Sequence, residues 1–504
     1  MKKLLLIIAF ALQAALYAQE EGFLYTCDYE NYLINCAIET DDGCYIISAS
    51  YTNPMDDSWW EKPSKLLKLS HDGTLLNSVQ LSDSFTRVVL LYEDTEHNIF
   101  HTVGIHWDVN TMRMYPFIAS LDSNLNLSSI KDVANIPAVY TQDIPDAKAV
   151  INDNGKVLLT LAYSPTELHY MILNLDGDLE CYKEHNYSSG MGYVGSLCVL
   201  QDSSGDFGHY DTHSSAEMTR INEQLEMEPV FSVYLVQENQ WNNSDTIHSV
   251  YVDQSLYPTL LPLTDTSYLI AEETIESWWD HYHAQNFFIE RNTVFLKCHN
   301  NGEITNSILV EARNDTLERP AYYQAMDLTD SGAVYLCAFQ HTSYNGAGPE
   351  INRNHIILMK TDTNLNLIWE RRFCLGDVCH RPLQVLATHD GGCLITGYMY
   401  NDEDKINFFL LKLNQNGTLE SQKNEIITFP FALRTNPVSD ILRLEFSPDV
   451  QPMAVELYDV QGRLLSAQSS DLENISVEGL TAGIYTMRVV MKDGSSFSDK
   501  VVKQ

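Results

Sequence analysis

The chain has 504 residues, with 31 Lys and Arg against 68 Asp and Glu for a formal charge of −37, and it is 44% hydrophobic and 11% aromatic. Such a polyanion, with no basic stripe, excludes nucleic acid as a partner, and its apolar content excludes a disordered chain. The length calls for several domains or one large array of repeats.

In chain order, Lys2-Lys3, the apolar run from Leu4 to Leu16 and Ala18 before Gln19 have the layout of a secretory leader: a charged start, an apolar middle and a small residue at the cut. Residues 1–18 are therefore expected to be a signal peptide. No Cys follows closely enough for a lipoprotein anchor, and no later run of about 18 apolar residues offers a transmembrane segment.

A seven-residue motif then recurs. With Leu69, Leu121, Leu173, Ile221, Cys298, Thr361 and Leu413 as its first position, the fifth reads Gly73, Leu125, Gly177, Leu225, Gly302, Leu365 and Gly417. The seventh is always apolar: Leu75, Leu127, Leu179, Met227, Ile304, Leu367 and Leu419. The residue before each fifth position, such as Asp72, Asn124 or Asn364, is Asp or Asn in most copies, which places the positive-φ residue of a tight hairpin there. Apolar runs such as Ile357-Leu358-Met359 lead into the motif, and a second turn and strand, as in Asp390-Gly391-Gly392-Cys393, lie further upstream. Each unit reads as strand, variable loop, strand, tight turn, strand and one weaker strand.

Seven such sheets bury both faces when packed radially, so the fold class is all-β: a seven-bladed β-propeller over residues 19–425 followed by a small immunoglobulin-like β-sandwich over 429–504. An open solenoid is the alternative arrangement, and the unread stretch from Val230 to Leu260 admits six or eight blades. Tyr25 to Glu39 precede the first unit and are expected to supply the strand that closes the last. The repeats are similar to the Asp-Gly-Gly-type repeats of secreted propellers, which implies a fold and no activity.

Ten cysteines suit an exported chain. Cys44 and Cys393 occupy the same place after the Gly turn in two repeats, Cys337 lies in the same strand of another, and all three read as small core hydrophobes, leaving Cys27 with Cys36 and Cys374 with Cys379 as candidate disulfides. None has the spacing of a metal site, so neither metal nor cofactor is expected.

Equivalent variable loops of a propeller emerge on one face, where function concentrates. These loops hold Trp59 and Trp60 beside Asp57 and Glu61, Trp107 beside Asp108, Trp278, Trp279 and Tyr282 around Asp280, and His341 with Tyr344. Rings beside carboxylates suit a sugar or peptide ligand, stacking on C–H surface while the carboxylates accept hydroxyl or amide hydrogens. The expected function is binding or adhesion to an extracellular glycan or protein through these residues. Packing of each Trp pair onto its own sheet is the competing assignment. No nucleophile elbow, zinc-binding helix or phosphate loop is present and no catalytic residue is assigned. A secreted hydrolase acting on polysaccharide or peptide and a structural surface-layer component are the alternatives.

From Phe429 onward short period-2 runs give the strands of the terminal sandwich. Four blocks stand out: Asn436-Pro437-Val438-Ser439-Asp440, Val455 to Arg463 with Gly462-Arg463 at its end, Leu480-Thr481-Ala482-Gly483-Ile484-Tyr485, and Lys500-Val501-Val502-Lys503. In that order they resemble the type A C-terminal sorting domain of the type IX secretion system, with Arg434-Thr435 standing where an aromatic residue is usual. The resemblance implies export through the periplasm to the medium or the outer-membrane surface. It implies recognition by the outer-membrane translocon and, where the tail is exchanged for a lipopolysaccharide anchor, by a sortase. The sorting-signal positions are Asn436, Pro437, Gly462, Arg463, Gly483, Tyr485, Lys500 and Lys503.

Overall fold

The computed structural model describes residues 22–503 apart from 28, 53–60, 109, 112, 135, 137–145, 165–166, 187–193, 202–203, 212–215, 234–245, 253–257, 281–284, 311–316, 342–354, 376–379, 401–404, 420–426, 429–430, 434–437, 447–450, 459–462 and 493–495. Among the described residues the regular elements are all strands. The first sheet pairs Tyr32–Glu39, Tyr45–Tyr51, Lys65–Leu69 and Leu75–Gln80 in sequence order, each antiparallel to the next. The second, third and fourth sheets, beginning at Thr86–Asp94, Asp146–Ile151 and Ser196–Val199, repeat this order. The next two sets, led by Thr259–Thr264 and Met326–Leu328, also follow it but merge into an eleven-stranded sheet, bridged where Arg291 and Leu317 pair in parallel.

The last sheet contains His380–Ala387, Cys393–Tyr400 and Ile406–Leu413, and its fourth strand comes from the other end of the chain: Phe23–Thr26 pairs with Ile406–Leu413, Tyr25 opposite Leu410. The expected closing strand is therefore shorter than Tyr25 to Glu39, because Tyr32–Glu39 opens the first sheet instead. First strands of successive sheets pack together, and Tyr32–Glu39 touches both Thr86–Asp94 and His380–Ala387, so the succession returns on itself in a β-propeller-like arrangement.

Burial explains the sequence pattern. Second strands such as Tyr45–Tyr51 are buried at every residue, being covered on both faces by neighbouring sheets, and read as continuous apolar runs. Fourth strands such as Leu127–Asp132 are exposed throughout.

The recurring motif is one repeated turn. Its fifth residue has positive φ in all seven copies, +82° at Gly73, +62° at Leu125, +80° at Gly177, +58° at Leu225, +80° at Gly302, +61° at Leu365 and +69° at Gly417. Its N–H donates to the carbonyl three residues earlier, as from Leu125 to Asp122 at 2.9 Å. The positive φ thus falls one residue later than the Asp or Asn expected to carry it. Polar side chains act at the second motif position instead: Asp122 Oδ1 accepts from the Asn124 and Asn126 N–H groups at 2.9 and 2.8 Å, and Asp362 repeats this at Asn364 and Asn366.

Each turn inserts into the preceding sheet. Leu125 joins an apolar cluster with Ile46 and Leu66 of the first sheet, Leu225 one with Leu158 and Ile172 of the third, and Leu365 one with Phe295 of the fifth set. Glycine stands where the neighbour leaves no room: a Cβ would lie 2.5 Å from the Phe23 ring at Gly73, 2.5 Å from the Ser232 carbonyl oxygen at Gly302 and 2.6 Å from the Trp369 ring at Gly417. Lysines of the preceding sheet clamp the turns, Lys68 donating to the Ser123 carbonyl, Lys131 to that of Asp176, Lys183 to that of Leu225 and Lys360 to that of Gln415.

A second set of clasps joins neighbours through carboxylates on backbone N–H groups: Glu93 accepts from Asp41, Glu39 from His389 and Asp327 from Ala387. Burial pushes the Asp327 carboxyl up to about 6 against the pull of the Ala387 and Leu328 N–H groups. An acid whose folded pKa exceeds its unfolded value binds more protons folded than unfolded between those values. Its penalty is absent below about pH 4 and complete above about pH 6. Asp327→Asn is expected to raise stability at pH 8 by about 1–3 kcal/mol and to flatten the pH 4–6 dependence; unfolding midpoints across that range that fall in parallel for both proteins would refute the assignment.

Cys27 and Cys36 form no disulfide with each other, which corrects the proposed bridge: Cys27 follows the strand paired to the last sheet, whereas Cys36 lies in the first sheet and donates to the Val88 carbonyl at 3.7 Å. Cys337 and Cys393 are buried free thiols, while Cys44 is half-buried. The side chains of Cys374 and Cys379 lie outside the described residues.

In the tail, a sheet of Phe431–Leu433, Ile441–Phe446 and Asn474–Ser476 and a second of Leu464–Gln468, Pro452–Tyr458, Gly483–Met491 and Ser496–Lys503 share an apolar cluster including Leu442, Leu457, Met487 and Val501. Tyr485 donates its hydroxyl to the Thr481 carbonyl at 2.6 Å, tying the strand to the turn before it.

Candidate functional site

Because strands in each sheet alternate in direction, the first-to-second and third-to-fourth turns leave from one end. The variable loops and the inter-sheet connections leave from the other. The first strands surround a cavity of about 160 Å³ lined by Asn35, Arg87, Asp146, Lys148, Ser196 and Gln384, together with Tyr323 and Gln324 just before Met326–Leu328. Arg87, Asp146 and Ser196 stand at or beside the beginnings of their strands, which puts them towards the loop end. Lys148 lies two residues further in.

Local alternation aims these groups. In Asp146–Ile151, Ala147 and Ala149 are buried in the sheet packing while Asp146, Lys148 and Val150 take the opposite side, as period 2 requires. Bulges at Asn35, Val89 and Leu383 interrupt three adjacent first strands, re-aiming side chains on the cavity wall.

The charges are unevenly satisfied. Asp146 faces Arg87 at 3.6 Å and accepts from the Val194 and Ala147 N–H groups at 3.0 and 3.1 Å. Arg87 also hydrogen-bonds with Tyr323, whose hydroxyl is pushed up by burial against the pull of that guanidinium. Gln384 Nε2 donates to Gln324 Oε1 at 3.0 Å, and Ser196 Oγ accepts from the Leu260 N–H at 3.0 Å. Lys148 makes no ion pair among the described residues; its pKa is lowered by burial and by Arg87, with Asp146 opposing. The cavity therefore carries an excess positive charge inside a strongly acidic protein.

Beside it, at the loop end of the last sheets, Arg381 donates to the Tyr398 hydroxyl at 3.2 Å with its guanidinium 5.4 Å from the Tyr400 ring centre, and Arg319 lies 3.7 Å from Glu273. Burial pushes the Tyr398 hydroxyl up, so it remains a neutral donor and acceptor. Among the described residues Glu167, His169 and Glu184 come close enough to hold a metal ion, but His169 already engages Tyr182 at 2.6 Å and Glu167 at 3.0 Å.

The sequence-predicted ligand residues are distributed differently. Trp59, Trp60, Tyr282 and Tyr344 lie outside the described residues. Trp278 and Trp279 are in Ser267–Asp280, a strand paired with Gln285–His299 on one side and Thr246–Val252 on the other, so a β-ladder occupies what was expected to be loop. His341 ends Ala333–His341, opposite Leu317. Trp107 is 7% exposed and packs in the cluster that contains Phe85 and Met114, so its ring is committed to the core and is not available for stacking on a ligand.

Among the sorting positions, Asn436, Pro437 and Gly462 lie outside the described residues. Arg463 is exposed before Leu464–Gln468, Gly483 and Tyr485 begin Gly483–Met491, and Lys500 and Lys503 are in the final strand.

Residues 435–504 match the profile of the family described as secretion system C-terminal sorting domain. No curated protein matches the chain. Similar solved structures include a protein of unknown function from Bacteroides caccae (9% identity, TM-score 0.30, covering 61% of this chain and 89% of that one). Another is the β-propeller domain of the Trilobed protease from Pyrococcus furiosus, with an open velcro topology (8% identity, TM-score 0.37, covering 81% and 100%). The tail is a type IX secretion sorting domain, and it directs the chain through the periplasm and outer membrane to the cell surface or the medium.

Proposed function

We propose that the chain is a seven-bladed β-propeller over residues 19–425 with an immunoglobulin-like sorting sandwich over 429–504, and that it binds an extracellular glycan or protein at the loop end of the propeller. Seven copies of one positive-φ turn, each inserted into the sheet before it, support the blade number. The observation that carries the binding reading is the polar cavity lined from the first strands, with Arg87, Asp146 and Ser196 at or beside the loop-end beginnings of those strands. Small-ligand sites combine a concavity with a few convergent polar groups in this way.

For a polysaccharide substrate, the hydrolase alternative would typically use two carboxyl groups of different proton affinity across one bond. Among the described lining residues Asp146 is the one carboxylate, and Arg87 holds it. In this reading Trp59, Trp60, Trp278, Trp279, Tyr282, His341 and Tyr344 are the aromatic and histidine residues that contact the ligand. The sandwich meets the outer-membrane translocon and, if the tail is exchanged for an anchor, a sortase.

The test is an array of glycans and extracellular proteins probed with the secreted chain and with a variant carrying Trp59→Ala and Trp278→Ala. The expected result is specific binding that the variant weakens at least about tenfold, the loss of one strong aromatic contact. A correctly folded chain that binds nothing on the array, or binds equally with both tryptophans removed, overturns the reading.

A further inference from the structure

We propose that the central cavity takes the carboxylate of an acidic sugar, with Lys148 as its counter-ion and the surrounding amides and hydroxyls as partners for the ring hydroxyls. This deepens the binding reading and rests on it.

Three observations converge. First, the cavity has a volume of about 160 Å³, room for a carboxylate and the hydroxyls beside it. Second, its lining is that of a site for polyhydroxyl groups: Ser196, Tyr323, Gln324 and Gln384 present both donors and acceptors, Asn35 is held by a hydrogen-bonded exchange with Ser50, and the Gln384–Gln324 bond fixes one amide pair in orientation. Third, the charge is unbalanced. Asp146 is satisfied by Arg87 and by two backbone N–H groups, whereas Lys148 has no ion-pair partner among the described residues. A lysine held inside a protein without a counter-ion carries a desolvation penalty that a bound anion removes.

Arg87 and Tyr323 complete the arrangement on the wall beside Asp146. The Arg87–Asp146 pair is formally neutral, so the net attraction for a bound carboxylate comes from Lys148. A neutral sugar gains the hydrogen bonds and not the ion pair, and an acidic peptide gains the ion pair but meets the wall with backbone amides in place of a cluster of ring hydroxyls. Selectivity for a carboxylate-bearing sugar therefore arises from the two sets of groups acting together.

The experiment is calorimetric titration of the full secreted chain with galacturonic acid oligosaccharides, with their neutral galactose counterparts and with an acidic peptide. Lys148→Met keeps the aliphatic stem and removes the charge, and Asp146→Asn leaves Arg87 uncompensated. The expected result is at least tenfold preference for the acidic sugar, its loss in Lys148→Met, and tighter binding in Asp146→Asn. A role for Lys148 in packing alone would not move the two variants in opposite directions. Equal affinity for acidic and neutral sugars, preference for the peptide, or binding unchanged in folded Lys148→Met overturns the proposal while leaving the broader binding reading intact; absence of any ligand on the array removes both.

Discussion

Exchanging the residue at the positive-φ turn position is expected to be costly in both directions. Leu125→Ala should destabilise the repeat region by about 2–5 kcal/mol, because Leu125 is 1% exposed and its side chain is part of the joint between the first and second sheets. The native leucine already bears the cost of a left-handed backbone, about 1–2 kcal/mol, and alanine keeps that cost while losing the contacts that offset it. Conversely, Gly302→Ala puts a Cβ 2.5 Å from the Ser232 carbonyl oxygen at φ +80°, so a main-chain atom must move; about 1–3 kcal/mol of strain is expected. A drop in the thermal unfolding midpoint of several degrees for each variant is the result to look for. If either substitution leaves the midpoint in place, the turn is not the joint described here.

Phe23→Ala should be as damaging, at about 3–5 kcal/mol. Phe23 is 6% exposed, its ring centre lies 5.8 Å from that of Tyr45, and it covers Gly73, so one side chain on the closing strand bears on the first sheet. Phe23–Thr26 pairs with the last sheet while Phe23 packs on the first, and losing it weakens the junction between the two. Amide exchange should then accelerate in Ile406–Leu413 before it does in a distant strand such as Val157–Ser164. Uniform acceleration, or none, would show that Phe23–Thr26 does not hold this junction.

The repeat was legible because its turn combines a short-range backbone requirement with a fixed apolar seventh position, both of which survive divergence. The exact residue at positive φ was not: three copies place leucine there, against local preference, because burial in the neighbouring sheet outweighs the backbone cost, and no local rule reveals a neighbour 50 or so residues away. The same applies to Cys27 and Cys36, close in sequence yet assigned to different sheets because the chain closes end on end. The cavity was missed for a related reason. Its residues sit in first strands, where Asp146-Ala147-Lys148-Ala149 reads as an ordinary half-exposed strand, and nothing in one strand shows that several others turn polar residues towards the same space. Trp107 misled in the opposite sense, since a Trp-Asp pair at a loop edge looks the same whether its ring faces ligand or core.

The central claim is that the sheets close into a ring. Zero-length carbodiimide cross-linking of the secreted chain, read by peptide mass spectrometry on the monomer, tests it with native residues: Lys405 Nζ lies 2.9 Å from Glu30, 375 residues away in sequence. The account predicts an isopeptide between the peptides containing Glu30 and Lys405, alongside a link between neighbouring sheets such as Lys131 with Asp178. Finding Lys131 joined to Asp178 in the monomer but Glu30 joined to Lys405 only between chains, or not at all, would contradict it.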